Sequence, residues 1–503
     1  CVHFGELLQG KLLKFGKTDK KMRKYLGKTD KLSYICHGKA DKIRPFNNRK
    51  GDKDMIKRKI DRYLADFFET NKKALMLTGA RQIGKTYSIR RFGHEHFERF
   101  IEINFIENPG LVKVFSKAKN SQDILLRLST VTHQDLIAGK TLVFFDEVQE
   151  CPEIVTAIKF LVEEGSYRYI LSGSLLGVEI KNLRSAPVGY MDVKDMYPLD
   201  FEEFATAVGI NDRIIDVLRK HFTEGMSVDE FIHEKMMEVF RLYLIVGGMP
   251  AAVDKYLATN NLQDVMAEQQ AIIRLYKQDI AKYDPDHKLY IQEIFDRIPA
   301  ELDAKNKRFI LKNLNENIKF SRYQNSFLWL KDAGVALPVY NVEEPTVPLI
   351  LSSSRNLFKL FMADIGLLAS LYADGIQLKI LDNEPSINFG SVCENAVAQE
   401  LWAHGFQVYY YNNKRQGELD FVIEQNGEVL PIEVKSGKDY ERHKALTNVV
   451  NSTTYQISKA YVLCNDNVKK VGKITYLPIY MLMFIKKEQK LPTKYSIDLN
   501  GLV

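Results

Sequence analysis

Apolar and polar positions along this chain follow two periods. Ala74 to Thr78, Leu142 to Phe145 and Tyr169 to Leu171 are short apolar runs without polar alternation, the pattern of strands buried on both faces of a parallel sheet. Arg99 to Phe105 supplies a further strand, and Lys85 to Phe92 reads as a helix. From Phe201 to Tyr283 apolar residues recur every three or four positions, as in Ile214-Ile215-Val217-Leu218 and Met237-Val239-Phe240-Leu242, which predicts a run of helices. Gly247-Gly248-Met249-Pro250 interrupts that run, either as a hinge or as a helix terminator. Residues 286 to 350 predict helices over Tyr290 to Ile298, Lys307 to Leu314 and Tyr323 to Asp332. Gly334 and the β-prone Val335 to Val342 follow, an order that suits a winged helix. Near the C-terminus a helix from Ser391 to His404 has an apolar stripe of Val392, Ala396, Val397 and Leu401. Strands over Val408 to Tyr411, Glu418 to Ile423 and Val429 to Lys435 come next, the last two joined by the turn Gln425-Asn426-Gly427.

Several cores are needed to accommodate this many elements, and 503 residues divide into roughly three or four domains of ordinary size. Hydrophobic residues at 45% and charged residues at 27% are those of a globular chain and exclude wholesale disorder. The net charge of +7 changes meaning when it is located. The first 54 residues hold 15 Lys and Arg against 6 Asp and Glu, which leaves the remainder at −2. The basic signal therefore belongs to a tail without sustained apolar periodicity, expected to be disordered or to precede a translation start at Met55, with a nucleic-acid arm as the alternative. Cys1, Cys36, Cys151, Cys393 and Cys464 show no paired spacing, so neither a disulfide framework nor a cysteine zinc site is expected, and a reducing cytoplasm fits. The longest apolar run near the C-terminus, Leu477 to Ile485, is less than half of the ~20 residues that cross a bilayer, so no membrane partner is expected.

The first strand ends in Gly79-Ala80-Arg81-Gln82-Ile83-Gly84-Lys85-Thr86, a G-x-x-x-x-G-K-T loop leading into a helix. Glycines at 79 and 84 let backbone amides approach phosphates, and the helix N-terminus adds positive potential. Lys85 is expected on the β and γ phosphates and the Thr86 hydroxyl on Mg²⁺. The nucleotide-binding set runs from Gly79 to Tyr87 and implies ATP and Mg²⁺ as ligands. The apolar strand through Phe145 ends in Asp146-Glu147. Asp146 is the expected magnesium partner and Glu147 the candidate general base for water. Lys85 and Asp146 stand 61 residues apart, room for one more strand and helix, which matches the ATPase class with an inserted strand. The strand at Tyr169 to Leu171 ends in Ser172-Gly173-Ser174, where Ser174 is either a γ-phosphate sensor or part of a polar turn.

These phrases, with Phe145-Asp146-Glu147-Val148-Gln149, Leu171-Ser172-Gly173-Ser174, Tyr197-Pro198-Leu199-Asp200-Phe201-Glu202-Glu203-Phe204 and Gly247-Gly248-Met249-Pro250, resemble prokaryotic AAA-type, archaeal-ATPase-like proteins. Members of that family carry a C-terminal domain of unknown function related to restriction endonucleases. The likeness runs from about Met55 to the C-terminal domain. In one departure, Gly189 is followed by Tyr190 where the family commonly has Gly-Arg, and Arg184 reads as an exposed helix arginine, with a substitute charge on phosphate as the alternative.

Near the C-terminus, period-two alternation puts Glu418 and Asp420 on one face of a strand and Glu433 and Lys435 on one face of the next. Two carboxylates and an amine can then converge for phosphodiester cleavage. Asp420 and Glu433 would hold Mg²⁺, Glu394 from the helix would complete the shell, and Lys435 would act on the nucleophile. The order of helix Glu, Asp and E-x-K resembles the PD-(D/E)XK nuclease superfamily. The expected α/β fold is thus a P-loop NTPase of AAA/ASCE type over residues 55–200 and a helical lid over 201–285. A winged-helix-like domain over 286–380 and a PD-(D/E)XK nuclease-like α/β domain over 385–503 follow the basic tail, core and lid. Two functions fit: an ATPase coupled to a nuclease-like domain acting on DNA or RNA, or an ATP-dependent switch that binds nucleic acid or a protein partner without cutting.

Overall fold

Strand β1, Ala74–Thr78, is buried at every position, and its place in the sheet explains its unbroken apolar run. It lies between β4, Arg168–Ser172, and β5, Met191–Asp195, in a parallel sheet of order β2-β3-β4-β1-β5. There β2 is Arg99–Asn104 and β3 is Thr141–Asp146. Burial on both faces leaves no solvent side on which a polar residue could sit. The strand inserted between the loop and the acid pair in sequence, β2, lies outside β3. The strand that separates β1 from β3 in space is β4. The computed structural model describes residues 56–173, 189–283, 288–304, 307–310, 320–372, 375–384, 390–487 and 496–497. The basic tail, Ser174 and Arg184 lie outside them.

The predicted helical run is present as Phe201–Ala207, Asp212–Glu224, Glu230–Val246, Pro250–Thr259 and Leu262–Tyr283. Gly247, at φ +70°, ends the third of these, and a Cβ on Gly248 would stand 2.1 Å from the Leu199 carbonyl oxygen. The Gly248 amide donates to Asp364 at 2.7 Å, so the pair forms a tightly held helix end. Among the described residues no single helix is long and apolar enough to cross a membrane. Glu230–Val246 and Pro250–Thr259 pass that test only as a pair, bent by 120°.

Helices Lys288–Asp303 and Phe320–Asp332 contain two of the three predicted for a winged helix. Residues 307–310 are not helical, and residues 311–314 lie outside the described set. The hairpin of β6, Ala336–Val342, and β7, Ser353–Met362, is the edge of an eight-stranded sheet rather than a separate wing. Its β6 runs parallel to β8, Tyr409–Asn413, which continues into β9, Gly417–Gln425, and β10, Glu428–Lys435. The sheet then passes through β11, Ala460–Cys464, and β13, Ile474–Pro478, to the short β12, Lys469–Val471. Helix Gly390–Ala403 crosses this sheet with Val392, Ala396, Val397 and Leu401 buried. Asn395 fastens it to β7 by accepting from the Met362 amide at 2.8 Å and donating to its carbonyl at 3.0 Å. Cys151, Cys393 and Cys464 are buried free thiols.

Candidate functional site

The parallel register brings three polar strand ends, Asn104, Asp146 and Ser172, to one edge of the first sheet. Asn104 pairs with Asp146 across β2 and β3, and Leu77 with Ser172 across β1 and β4. The phosphate loop leaves β1 at that edge. Gly79 adopts φ +132°, and a Cβ there would stand 2.2 Å from the Met196 carbonyl oxygen, so only glycine fits. Gly84, at φ +92°, passes directly into helix Lys85–His96. Lys85 is buried and folds back on the loop, donating to the carbonyls of Gly79 at 2.9 Å and Ala80 at 2.7 Å. Burial pulls its ammonium down to about 8, against the opposing pull of Glu147 and Asp146.

Asp146 is the hub of the site. Thr86 Oγ1 and Asn104 Nδ2 each donate to its Oδ2 at 3.1 Å, and the Ser172 hydroxyl donates to Oδ1. Burial, partly offset by these donors, raises the carboxyl above its usual range. Glu147 adopts φ +55°, which ends β3, and Gln149 Nε2 donates to its Oε2 at 2.6 Å. Thr86 and Asp146 thus stand together as a magnesium pair would require, with Glu147 beside them. Tyr87 is about half exposed, with the Arg91 guanidinium over its ring at 5.8 Å.

Three further contacts on the loop had no signal in the motif. Arg58, at the N-terminal end of helix Lys59–Thr70, donates to the carbonyls of Ile83 at 3.0 Å and Tyr197 at 2.7 Å and pairs with Glu203 at 3.2 Å. Arg81 pairs with Asp279, while its carbonyl accepts from the Tyr276 hydroxyl at 3.1 Å. Gly334 packs so closely that a Cβ would stand 2.8 Å from the Ala80 nitrogen. The departure at Tyr190 falls elsewhere. The Tyr190 carbonyl accepts from the Ala74 amide at 2.9 Å, at the opposite end of β1 from the loop, and its hydroxyl donates to Glu163 at 2.7 Å. Its tyrosine therefore removes no charge from this chain's own phosphate loop.

The second predicted constellation also gathers, on β9, β10 and the crossing helix. Lys435 Nζ stands 2.7 Å from Glu433 Oε1, and Asp420 Oδ2 accepts from the Val434 amide at 2.8 Å. Burial and the neighbouring Asp420 push Glu433 up to about 8 against the pull of Lys435. Burial and Asp420 likewise push Glu394 up to about 7, opposed by Lys359 and Lys307. One oxygen each of Glu394 and Glu433 is buried without a hydrogen-bond partner, an arrangement that suits a cation. The oxygens of Glu394, Asp420 and Glu433 nevertheless do not all lie within 4.8 Å of one another. Sequence reasoning missed the cations that face them. Lys359 on β7, fully buried, reaches Glu418 at 2.8 Å and Glu394 at 3.9 Å, and Lys307 pairs with Glu394. Burial works against the Lys359 ammonium, but Glu394, Asp420 and Glu418 outweigh it and hold its pKa above the ordinary lysine range. A lone lysine inside the apolar run Leu357 to Met362 was the available signal.

Sheet order, glycine loop and acid pair define a P-loop ATPase domain of the class with an inserted strand. Residues 71–205 match the family profile of an AAA domain, and the chain therefore carries an AAA-type, ATP-binding domain. Residues 237–380 and 389–482 match two domains of unknown function, DUF8612 and DUF4143. No curated protein matches the chain. Among solved structures, the Walker-type ATPase of Pyrococcus abyssi is similar at 16% identity, over 65% of this chain and 98% of that one, with a TM-score of 0.39. The Orc1 protein of Aeropyrum pernix, solved in complex with DNA, is similar at 11% identity over 65% and 91%, with a TM-score of 0.26. RuvB of Thermotoga maritima is similar at 13% identity over 58% and 89%, also at 0.26.

Proposed function

We propose that this protein is a magnesium-dependent ATPase whose nucleotide state governs a nuclease-like C-terminal domain acting on nucleic acid. One observation carries the coupling. Gly334, packed on the phosphate loop at Ala80, stands two residues before β6, and β6 belongs to the sheet that bears Asp420, Glu433 and Lys435. A shift of the loop on ATP binding therefore has a short route to the second site, by packing at Gly334 and then through the hydrogen-bonded strands β6, β8 and β9. Thr86 and Asp146 would hold Mg²⁺, which supplies charge neutralisation at the phosphates, and Glu147 orients the attacking water. In the C-terminal domain Glu394, Asp420 and Glu433 would have to draw together to hold a second Mg²⁺, with Lys435 beside the nucleophile.

A second reading is a switch that binds without cutting. Lys307 and Lys359 favour it, because they already supply positive charge to Glu394 and Glu418, where a metal would otherwise do so.

The readings separate in a paired assay of phosphate release and DNA or RNA cleavage, with and without ATP and Mg²⁺. Glu147→Gln is expected to keep ATP binding and lose turnover by roughly 10²- to 10⁴-fold. Lys435→Ala is expected to abolish cleavage while leaving phosphate release intact. Cleavage traces identical for Lys435→Ala and wild type would remove the nuclease role, and cleavage indifferent to ATP would remove the gating.

A further inference from the structure

A histidine and two carboxylates meet at a third place, apart from both sites above. Asp200 caps helix Phe201–Ala207, its Oδ1 accepting from the Glu203 amide at 2.9 Å. Glu400 lies on helix Gly390–Ala403, and His404 is one turn further along the chain. Asp200 Oδ2, Glu400 and His404 Nε2 bring their ligand atoms within 4.8 Å of one another. His404 Nε2 stands 3.6 Å from Asp200 Oδ2 and 3.6 Å from Glu400 Oε2.

Those separations carry information. They are too long for hydrogen bonds, which close to about 2.9 Å. They are near the roughly 3.3 Å between neighbouring ligands of a tetrahedral ion with bonds of about 2.0 to 2.1 Å. Two of the three groups are also unpartnered on the side that faces the gap. Glu400 is fully buried, and its Oε1 accepts from the Phe201 amide at 2.6 Å and the Tyr243 hydroxyl at 3.1 Å, whereas its Oε2 has no hydrogen-bond partner. His404, with its side chain 4% exposed, places Nδ1 2.7 Å from the Ile485 carbonyl oxygen. A carbonyl oxygen accepts, so Nδ1 is the donor there, and in the neutral imidazole the lone pair falls on Nε2, itself without a hydrogen-bond partner. Metal-bound histidines are held in this way, one ring nitrogen donating to a carbonyl and the other free to ligate.

We propose that Asp200, Glu400 and His404 form a site for a single zinc-class divalent cation, which fastens the ATPase domain to the long helix of the C-terminal domain. A neutral imidazole with two carboxylates is a borderline ligand set suited to Zn²⁺, and a water or a second carboxylate oxygen completes four-coordination. A cleft of about 390 Å³, lined by Lys59, Tyr197, Asp200 and His404 among others, gives the ion its entry path. The Lys59 ammonium, paired with Asp200 and Glu202, is the competitor for the same charge.

The test uses the full chain, stripped by chelator and dialysis, without nucleotide. Zn²⁺ is titrated against a chromophoric chelator, and Co²⁺ is added separately to read tetrahedral d–d absorption. Wild type is expected to bind one equivalent. His404→Gln and Glu400→Gln are expected to weaken that binding at least roughly tenfold, and Glu433→Gln is expected to keep it. Lys59→Met, which removes the competing ammonium at a partly exposed position, is expected to bind more tightly, so the proposal stays testable if the buried variants do not fold. A wild type that takes up no zinc overturns the site, as does unchanged affinity in both His404→Gln and Lys59→Met. Loss of the equivalent in Glu433→Gln instead would assign the ion to the nuclease-like cluster and also overturn it.

Discussion

Lys85 and Lys359 show how the same cost of burying an ammonium ends in opposite pKa shifts, depending on which charges surround it. Lys85 is held by carbonyl oxygens of its own loop, and burial brings its pKa down to about 8. ATP phosphates restore the stabilising charge, so the amine must be protonated when nucleotide is bound. Near pH 8.5 ATP binding is therefore expected to take up a proton, and at pH 6.5, where Lys85 is already charged, it is not. Calorimetry in buffers of different ionisation enthalpy measures this directly, and equal proton uptake at both values would contradict it. Lys359 is also buried but answers three carboxylates. Replacing it by methionine leaves Glu394 and Glu418 facing each other without that charge, an expected loss of about 3 to 5 kcal/mol in chemical denaturation at pH 8. With Glu394 pushed up to about 7, protonation removes part of the uncompensated charge as pH falls, so the loss is expected to shrink at pH 5.

At the scale of elements, strand ends and helix ends do the positioning. The parallel register sets Asn104 and Ser172 on either side of Asp146, and these two strand-end side chains, with Thr86 from the helix after the loop, orient its carboxylate. Gly334 is the terminus on which the proposed coupling rests. At φ +71°, with a Cβ only 2.8 Å from the Ala80 nitrogen, it has no room for alanine without moving the phosphate loop. Gly334→Ala is therefore expected to weaken ATP binding, read by nucleotide fluorescence, although it lies some 250 residues from the motif. Affinity equal to that of wild type would mean that the contact is incidental. Much at this scale was legible in sequence. The apolar runs marked β1, β3 and β4, and the three-to-four spacing marked the helices after Phe201. Strand β5 was not legible, because an edge strand reading Met191-Asp192-Val193-Lys194-Asp195 has a solvent side and little apolar content.

For the whole molecule, the hairpin β6–β7 joins what two separate domains were expected to divide. It is an edge of the C-terminal sheet, it carries Lys359 into the carboxylate cluster, and it begins beside the phosphate loop. If the two sites communicate by this route, ATP with Mg²⁺ is expected to slow amide hydrogen exchange at residues 276–280, which include Tyr276 and Asp279, and along β6. Protection confined to residues 79–87 would argue for independent sites.

The amino-acid sequence alone determined the chemistry of the nucleotide loop, because phosphate binding needs residues that are contiguous in the chain. Gly79 to Thr86 is one uninterrupted segment, and Asp146-Glu147 announces itself by ending an apolar strand. It also marked Glu394, Asp420, Glu433 and Lys435, where strand and helix periodicity act over short range. Only the tertiary structure decided what faces these groups: Arg58 on the loop carbonyl, Lys307 and Lys359 on the carboxylates, and His404 against Asp200 some 200 residues away. Such pairings depend on which helices and strands pack together, and burial then sets their charge. No local pattern in the chain carries that information.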